Sequence, residues 1–387
     1  MLRRPSSFVA AMAACLGAAS SAFAQAAPIA DRLPARDISL LNEAKHSLQT
    51  GCKWLSQAQL PDGSWCQYPG ISGLALVALL NSGLPEYRAD SPVARKGLAY
   101  ILKQVQPDGS ICLGDLKSYN TSICVMALLS TRDPKHHETI RRARRFLMAS
   151  QFDEDMGCSD AHPHFGGIGY GKQKRPDMSN LQWALEALRL SEYVEQDAAK
   201  TLVVDPNLPK VSEAEAAGLC YDRAIKFIER CQNRKESNDQ AWAGTDGGFV
   251  YRPGESKADE TRSYGSMTYA GLKSFIYAKV DRDDPRVQAA YNWIRKHYTV
   301  DANPGMGLQG LYYNYHTMAK AMHVYGGKAL VDAKGKRHHW RDELLLKLVR
   351  IQNGEGYWVN TEGRWWENVK ELATSYSLIA LEIAMKD

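Results

Sequence analysis

Apolar residues along this chain recur at helical spacing, and they do so in two alternating kinds of segment. One kind carries charge on one face. Residues 139–147 interleave Arg141, Arg142, Arg144 and Arg145 with Ile140, Ala143, Phe146 and Leu147. The other kind, such as residues 122–129, is apolar around its whole circumference over two turns. The first kind has a face for water, whereas the second must be buried on every side.

The alternation repeats six times, which predicts six helical hairpins. The charged helices are predicted at 39–58, 92–105, 134–150, 217–232, 285–298 and 338–352. Pro92, Pro134 and Pro285 stand at or beside the first turn of three of them, where a missing N–H costs nothing. The apolar helices align on the steps Ala78-Leu79, Ala127-Leu128, Ala187-Leu188, Ser274-Phe275, Ala321-Met322 and Ala380-Leu381. Six residues before these steps stand Ser72, Thr121, Leu181, Thr268, Tyr315 and Thr374. The longest interval contains a polar, Pro-containing stretch near 193–216, read as a surface insertion. Hairpins with one solvated and one buried member fit two concentric rings, an all-α (α/α)6 toroid over residues 39–387. An open solenoid is the alternative, but its central hairpins leave one face of each helix row in water.

The N-terminus has a different pattern. Arg3 and Arg4 precede an apolar, Ala-rich run from Phe8 to Ala19, and Ala22-Phe23-Ala24 follows. A basic start, an apolar middle and an Ala-x-Ala end predict a signal peptide over 1–24, cut near Ala24, then a linker over 25–38. The mature chain is expected outside the cytoplasm, periplasmic or extracellular. Cys15 sits in a poor lipoprotein context, with Met12 before it and the apolar run continuing past it. No later stretch is long and apolar enough for a transmembrane anchor. With 44% hydrophobic and 24% charged residues, disorder and collagen-like structure are excluded. A net charge of +5 with scattered basic residues argues against a nucleic-acid partner.

Seven cysteines follow the signal segment: Cys52, Cys66, Cys112, Cys124, Cys158, Cys220 and Cys231. An odd number leaves a free thiol or an intermolecular bond. Cys66 and Cys112 occupy matching places in Asp62–Cys66 and Asp108–Cys112, and a bridge between them is one reading. Cys220 and Cys231 lie too far apart on one predicted helix to pair. Small buried hydrophobes is the reading for most of them.

The linking segments carry a further signature. Residues 54–65 hold Trp54, Gln57, Gln59, Asp62, Gly63, Ser64 and Trp65, and residues 100–110 hold Gln104, Gln106, Asp108, Gly109 and Ser110. These resemble the Gln–Trp repeat of squalene and hopene cyclases, with weaker copies at 146–157, 293–305 and 348–358. The series resembles the terpenoid cyclase/protein prenyltransferase superfamily, and within it the exported bacterial proteins with prenyltransferase/squalene-oxidase repeats. Residues 166–180 and 263–272 resemble that group most.

The resemblance implies a central cavity but not a reaction. Cyclases of this kind protonate an alkene with an Asp-x-Asp-Asp acid. Here Asp281-Arg282-Asp283-Asp284 is followed at once by Pro285, which places the acids as caps of an outer helix. Prenyltransferase β subunits bind zinc through Asp-x-Cys and a later His. Tyr315-His316-Thr317 resembles the His segment, but Ser263–Met267 has neither Asp nor Cys. Zinc is therefore a minor expectation, and no metal ligand is assigned. Cys158–His164 has a metal-like composition on a predicted solvated turn, and Gly166–Gly171 lacks the preceding strand of a dinucleotide site.

The starts of the inner helices, and the loops before them, face one mouth of such a toroid. The candidate ligand-binding residues there are Trp65, Tyr68, Tyr119, Tyr170, Tyr264, Tyr312, Tyr313, Tyr315, Trp365 and Trp366. Aromatic faces stabilise carbocations and ammonium groups and stack on sugars. The candidate catalytic residues are His316, Asp177, Glu260 and Arg262, which would be costly to bury unpaired. Asp177 also suits an N-cap. Tyr251 and Glu371 belong to a wider set at the same mouth. The leading functional expectation is a pocket that binds or transforms an isoprenoid or other apolar small molecule. A non-catalytic extracytoplasmic receptor or scaffold, with or without a partner subunit, is the second, and a carbohydrate-active toroid the third. For the last, nothing sets two carboxylates at a defined separation.

Overall fold

The computed structural model describes residues 37–171, 175–198 and 213–386. The signal peptide, most of the linker and residues 199–212 of the insertion lie outside the described residues.

The described chain is all-α, with thirteen α-helices and one short β-hairpin. Six inner helices form a ring: α2 (Pro69–Asn81), α4 (Lys117–Ser130), α6 (Met178–Leu190), α9 (Gly265–Tyr277), α11 (Leu311–Tyr325) and α13 (Lys370–Met385). Each packs on the next, and α13 packs back on α2, so the ring is closed. Outside it lie α1 (Ile38–Gln57), α3 (Pro92–Lys103), α5 (His137–Met148), α8 (Glu213–Arg230), α10 (Pro285–His297) and α12 (Trp340–Ile351). The composition follows the layers. Every residue of α2 from Pro69 to Leu79 is buried, whereas α5 buries Ile140, Ala143, Phe146 and Leu147 and turns Glu138, Arg141 and Arg145 outward. The toroid is thus the architecture expected from the alternation of helix types.

The Gln–Trp segments act as clips between neighbouring outer helices. The Gln59 amide donates to the Gly63 and Val93 carbonyls, holding its own loop and the start of α3. Gln151 donates to Gly166 and Cys220, and Gln232 to Gly247 and Arg286. Gln352 donates to Gly356 and to Ser47 on α1, which joins the last repeat to the first. In five of these loops a glycine (Gly63, Gly109, Gly166, Gly247 or Gly356) abuts the next outer helix. A Cβ on Gly166, whose φ is +80°, would stand 1.7 Å from the Arg223 carbonyl oxygen. Ser72, Thr121, Thr268 and Thr374 accept the backbone N–H of Trp65, Ile111, Phe249 and Trp358. That common bond explains the hydroxyl residue six places before four of the six apolar steps.

Two elements depart from the expected pattern. Helix α7 (Glu192–Ala198) occupies the start of the stretch read as a loop, and Glu195 reaches Arg144, buried on α5, at 2.8 Å. A two-stranded hairpin pairs β1 (Leu330–Val331) with β2 (Arg337–His338) before α12. The seven cysteines are all free thiols, so Cys66 and Cys112 form no bridge. Cys66 is exposed, while Cys112 is buried beside the Ser110 hydroxyl. Asp284 caps α10 through the N–H of Arg286, as its place before Pro285 predicts.

Candidate functional site

The inner helices begin at one end of the ring, and there a cavity of about 240 Å3 opens. Its wall is built from the first turns of the inner helices and the loops before them. Tyr68 stands just before α2, Tyr119 on α4, Tyr170 and Tyr251 in the loops leading to α6 and α9, Tyr264 at the cap of α9, Tyr313 on α11, and Tyr376 on α13. Trp365 and Trp366, in the loop before α13, form an exposed part of the rim. Ile71, Leu74, Met267 and Leu372 fill the spaces between rings. The polar members are Ser179, Ser266 and Glu367.

Most hydroxyls of this wall are tied to one another. Tyr119 and Tyr376 meet at 3.1 Å, Tyr170 and Tyr251 at 3.2 Å, and Tyr313 bonds Ser179 at 3.0 Å. Burial pushes the Tyr119 phenol up to about 12, so it keeps its proton at any physiological pH. The wall is therefore uncharged and apolar over the ring faces. The mouth also concentrates backbone in the left-handed region. Cys66, Gln67, Leu116, Asp259, Glu260, Trp365 and Trp366 all have positive φ and all lie in loops that precede inner helices. Such conformations are unfavourable for non-glycine residues and cluster at functional sites.

Two carboxyls stand at or behind the wall. Glu367 lines the cavity and is 1% exposed. Its oxygens accept from the N–H groups of Tyr312 at 3.2 Å and Tyr313 at 2.7 Å, in the first turn of α11, and from the Asn360 amide at 2.7 Å. Burial outweighs these bonds and pushes its pKa up to about 6. Asp177 is fully buried and caps α6, accepting the Asn180 N–H at 2.9 Å and the Asn180 amide at 2.9 Å. The neighbouring Tyr251 hydroxyl and Arg252 also favour its ionised form, by less than burial opposes it. Burial likewise raises Asp177 to about 6. The bonded Tyr170 and Tyr251 phenols thus stand near a buried carboxyl.

Beneath the wall the centre of the ring holds a charged cluster. Glu186 on α6 pairs with Lys273 of α9 at 2.5 Å and with Lys320 of α11. Both ammonium groups lie over the Trp183 ring, at 5.4 and 5.2 Å from its centroid. His316 stacks on the same ring at 4.9 Å and meets Tyr376 at 5.1 Å. Neither of its nitrogens has a hydrogen-bond partner among the described residues. Burial and the two lysines hold its pKa well below the usual value, so it is neutral.

The structure distributes the sequence-predicted residues unevenly. Tyr68, Tyr119, Tyr170, Tyr264, Tyr313, Trp365 and Trp366 line the cavity. Trp65, Tyr312 and Tyr315 do not; they are core residues whose polar tips are satisfied elsewhere. Trp65 donates to the Leu55 carbonyl, Tyr312 to Val359 and Tyr315 to Val300. Glu260 and Arg262 are exposed on the loop before α9, and the Arg262 guanidinium donates to the Ala258 carbonyl. They stand outside the cavity, because the loop uses them to close on itself. Asp177 and His316 lie behind and below the wall. Of the wider set, Tyr251 lines it and Glu371 does not; Tyr376 and Glu367 line it without having been named from the sequence.

Zinc does not fit His316. The imidazole is sandwiched by aromatic rings and flanked by two lysines, and no group of three or more His, Cys, Asp or Glu is placed for a metal among the described residues. The His162–His164 segment forms a turn in which the His162 ring accepts the His164 N–H. Among the described residues, no helix is long and apolar enough to cross a membrane.

The closed double ring with one aromatic mouth is the terpenoid-cyclase type of fold, and comparison with solved structures agrees. The chain is similar to variants of the type II terpene cyclase MstE from Scytonema. One, in complex with geranylgeranyl dihydroxybenzoate as substrate, is 13% identical with a TM-score of 0.53, covering 90% of this chain and 99% of that one. Another substrate complex is 12% identical with a TM-score of 0.52, covering 90% and 98%. An apo variant is 12% identical with a TM-score of 0.51, covering 89% and 98%. At these identities the likeness concerns the fold. No protein-family model matches the sequence, and no curated protein matches it.

Proposed function

We propose that this protein binds an elongated apolar small molecule of the isoprenoid class in the cavity at the inner-helix starts. The observation that carries this reading is the wall itself: seven tyrosines and two tryptophans around one opening, with four of the tyrosine hydroxyls paired to each other. The terpene-cyclase type of fold supports it. We read the chain as an exported member of the terpenoid cyclase/protein prenyltransferase superfamily; N-terminal sequencing of the protein from its native cells checks cleavage near Ala24.

A receptor without chemistry is favoured over an alkene-protonating enzyme. Burial raises both carboxyls, but the oxygens of Glu367 are already engaged by N–H donors and Asp177 stands behind the wall, so neither aims a proton into the cavity. Chemistry remains the second reading, carried by the bonded Tyr170–Tyr251 pair near the buried Asp177, with Tyr170 presenting the proton and Asp177 the reservoir behind it. His316 has no direct reach into either scheme.

Titration with farnesol and geranylgeraniol, read by tryptophan fluorescence from Trp365 and Trp366, tests binding. Tyr313→Ala and Trp366→Ala are each expected to weaken affinity about tenfold, the order of one aromatic contact. Binding that survives both substitutions, or no binding at all, rejects the reading. Product formation that is lost in Asp177→Asn would move the conclusion to an enzyme.

A further inference from the structure

The charge of the wall is as selective as its shape. None of its lining side chains is Lys, Arg or His. Apart from tyrosine phenols, whose protons are held, its one ionisable member is Glu367. That carboxylate is buried, and its hydrogen-bond partners are neutral N–H groups: the backbone of Tyr312 and Tyr313 and the amide of Asn360. A buried carboxylate without a cationic partner is costly. The cost is relieved when a positive group arrives.

A diphosphate or carboxylate head would meet that carboxylate with no cation in the wall to hold it. A purely neutral chain would leave Glu367 as it is. A cation would gain from Glu367 and from the negative faces of the surrounding rings together, since aromatic faces attract ammonium groups most strongly where water is excluded. Tyr264, Tyr313, Tyr376 and Trp366 supply such faces within the same cavity.

We propose that the cavity takes an apolar chain that ends in an ammonium group, with the positive head held between Glu367 and the aromatic rings. This rests on the cavity reading above and specifies its ligand class.

Three probes with one farnesyl chain test it below their micelle concentrations. They end in trimethylammonium, alcohol and diphosphate. The ammonium probe is expected to bind about tenfold tighter than the alcohol, and the diphosphate weakest. In Glu367→Gln the ammonium probe is expected to lose more affinity than the alcohol, so that the margin between them narrows to what the rings alone supply. Equal affinity for ammonium and alcohol, a margin undiminished in Glu367→Gln, or tightest binding of the diphosphate overturns the proposal. If the variant does not fold, the ranking of the three probes on the unaltered protein decides. Failure of all three to bind rejects the cavity reading itself, whereas alcohol binding without an ammonium preference rejects only this proposal.

Discussion

Ser47 and Gln352 bond each other twice across the whole length of the chain. The Gln352 amide donates to the Ser47 carbonyl at 2.9 Å, and the Ser47 hydroxyl donates to Gln352 Oε1 at 2.6 Å. This pair closes the outer layer where the ring's ends meet. Gln352→Ala is expected to cost about 1–3 kcal/mol, because it strands the Ser47 and Gly356 carbonyls. A double-mutant cycle with Ser47→Ala in urea denaturation isolates the hydroxyl bond; additive losses would show that it does not couple the two residues.

Asp177 makes stability depend on pH in a definite sense. Its pKa rises from 3.8 to about 6 on folding. Between these values the folded protein holds a proton that the unfolded chain releases, so stability from this group falls as pH rises across the window. The change is on the order of 2–3 kcal/mol. Glu367 shifts the same way and leaves a similar slope of its own. Denaturation between about pH 4 and 7 should therefore show a shallower fall in Asp177→Asn. Parallel curves would refute the shift.

The Glu186 cluster separates pairing from burial. Glu186→Gln leaves Lys273 and Lys320 facing each other without a counter-charge, at an expected cost of roughly 3–5 kcal/mol. Replacing all three by leucine is expected to be close to neutral. A triple variant weaker than the single one would mean that the charges themselves stabilise the ring centre.

His316 offers the opposite test. Two buried nitrogens without partners cost more than its stack on Trp183 returns, so His316→Leu is expected to be neutral or stabilising by about 1 kcal/mol. Thermal unfolding measures this. A loss above about 2 kcal/mol would reveal partners such as buried water.

Much of the fold was legible because it rests on periodicity. The observed α10 over Pro285–His297 against the predicted 285–298, and α3 beginning at Pro92, follow from capping and from one apolar face. Helix α7 and the Leu330–His338 hairpin were not legible; the first is held by the distant Arg144–Glu195 pair, which no local pattern encodes. The mouth was partly legible. Tyr68 and Trp65 lie three residues apart in one loop, yet one faces the cavity and the other donates into the core, and only the turn between them decides this. Glu371, placed at the mouth from the sequence, sits in the first turn of α13 and is not among the lining residues. Glu367, four residues earlier, is carried inward by the left-handed Trp365–Trp366 turn.

The meeting of α13 with α2 has a kinetic side. Neither helix can cover its apolar circumference until both have been synthesised, since each is the other's neighbour. The ring's ends are sequence-distant, so closure is a late, entropically expensive event. Partially assembled rings would present two sticky inner faces, and a chain truncated before Lys370 should aggregate rather than settle as a smaller ring.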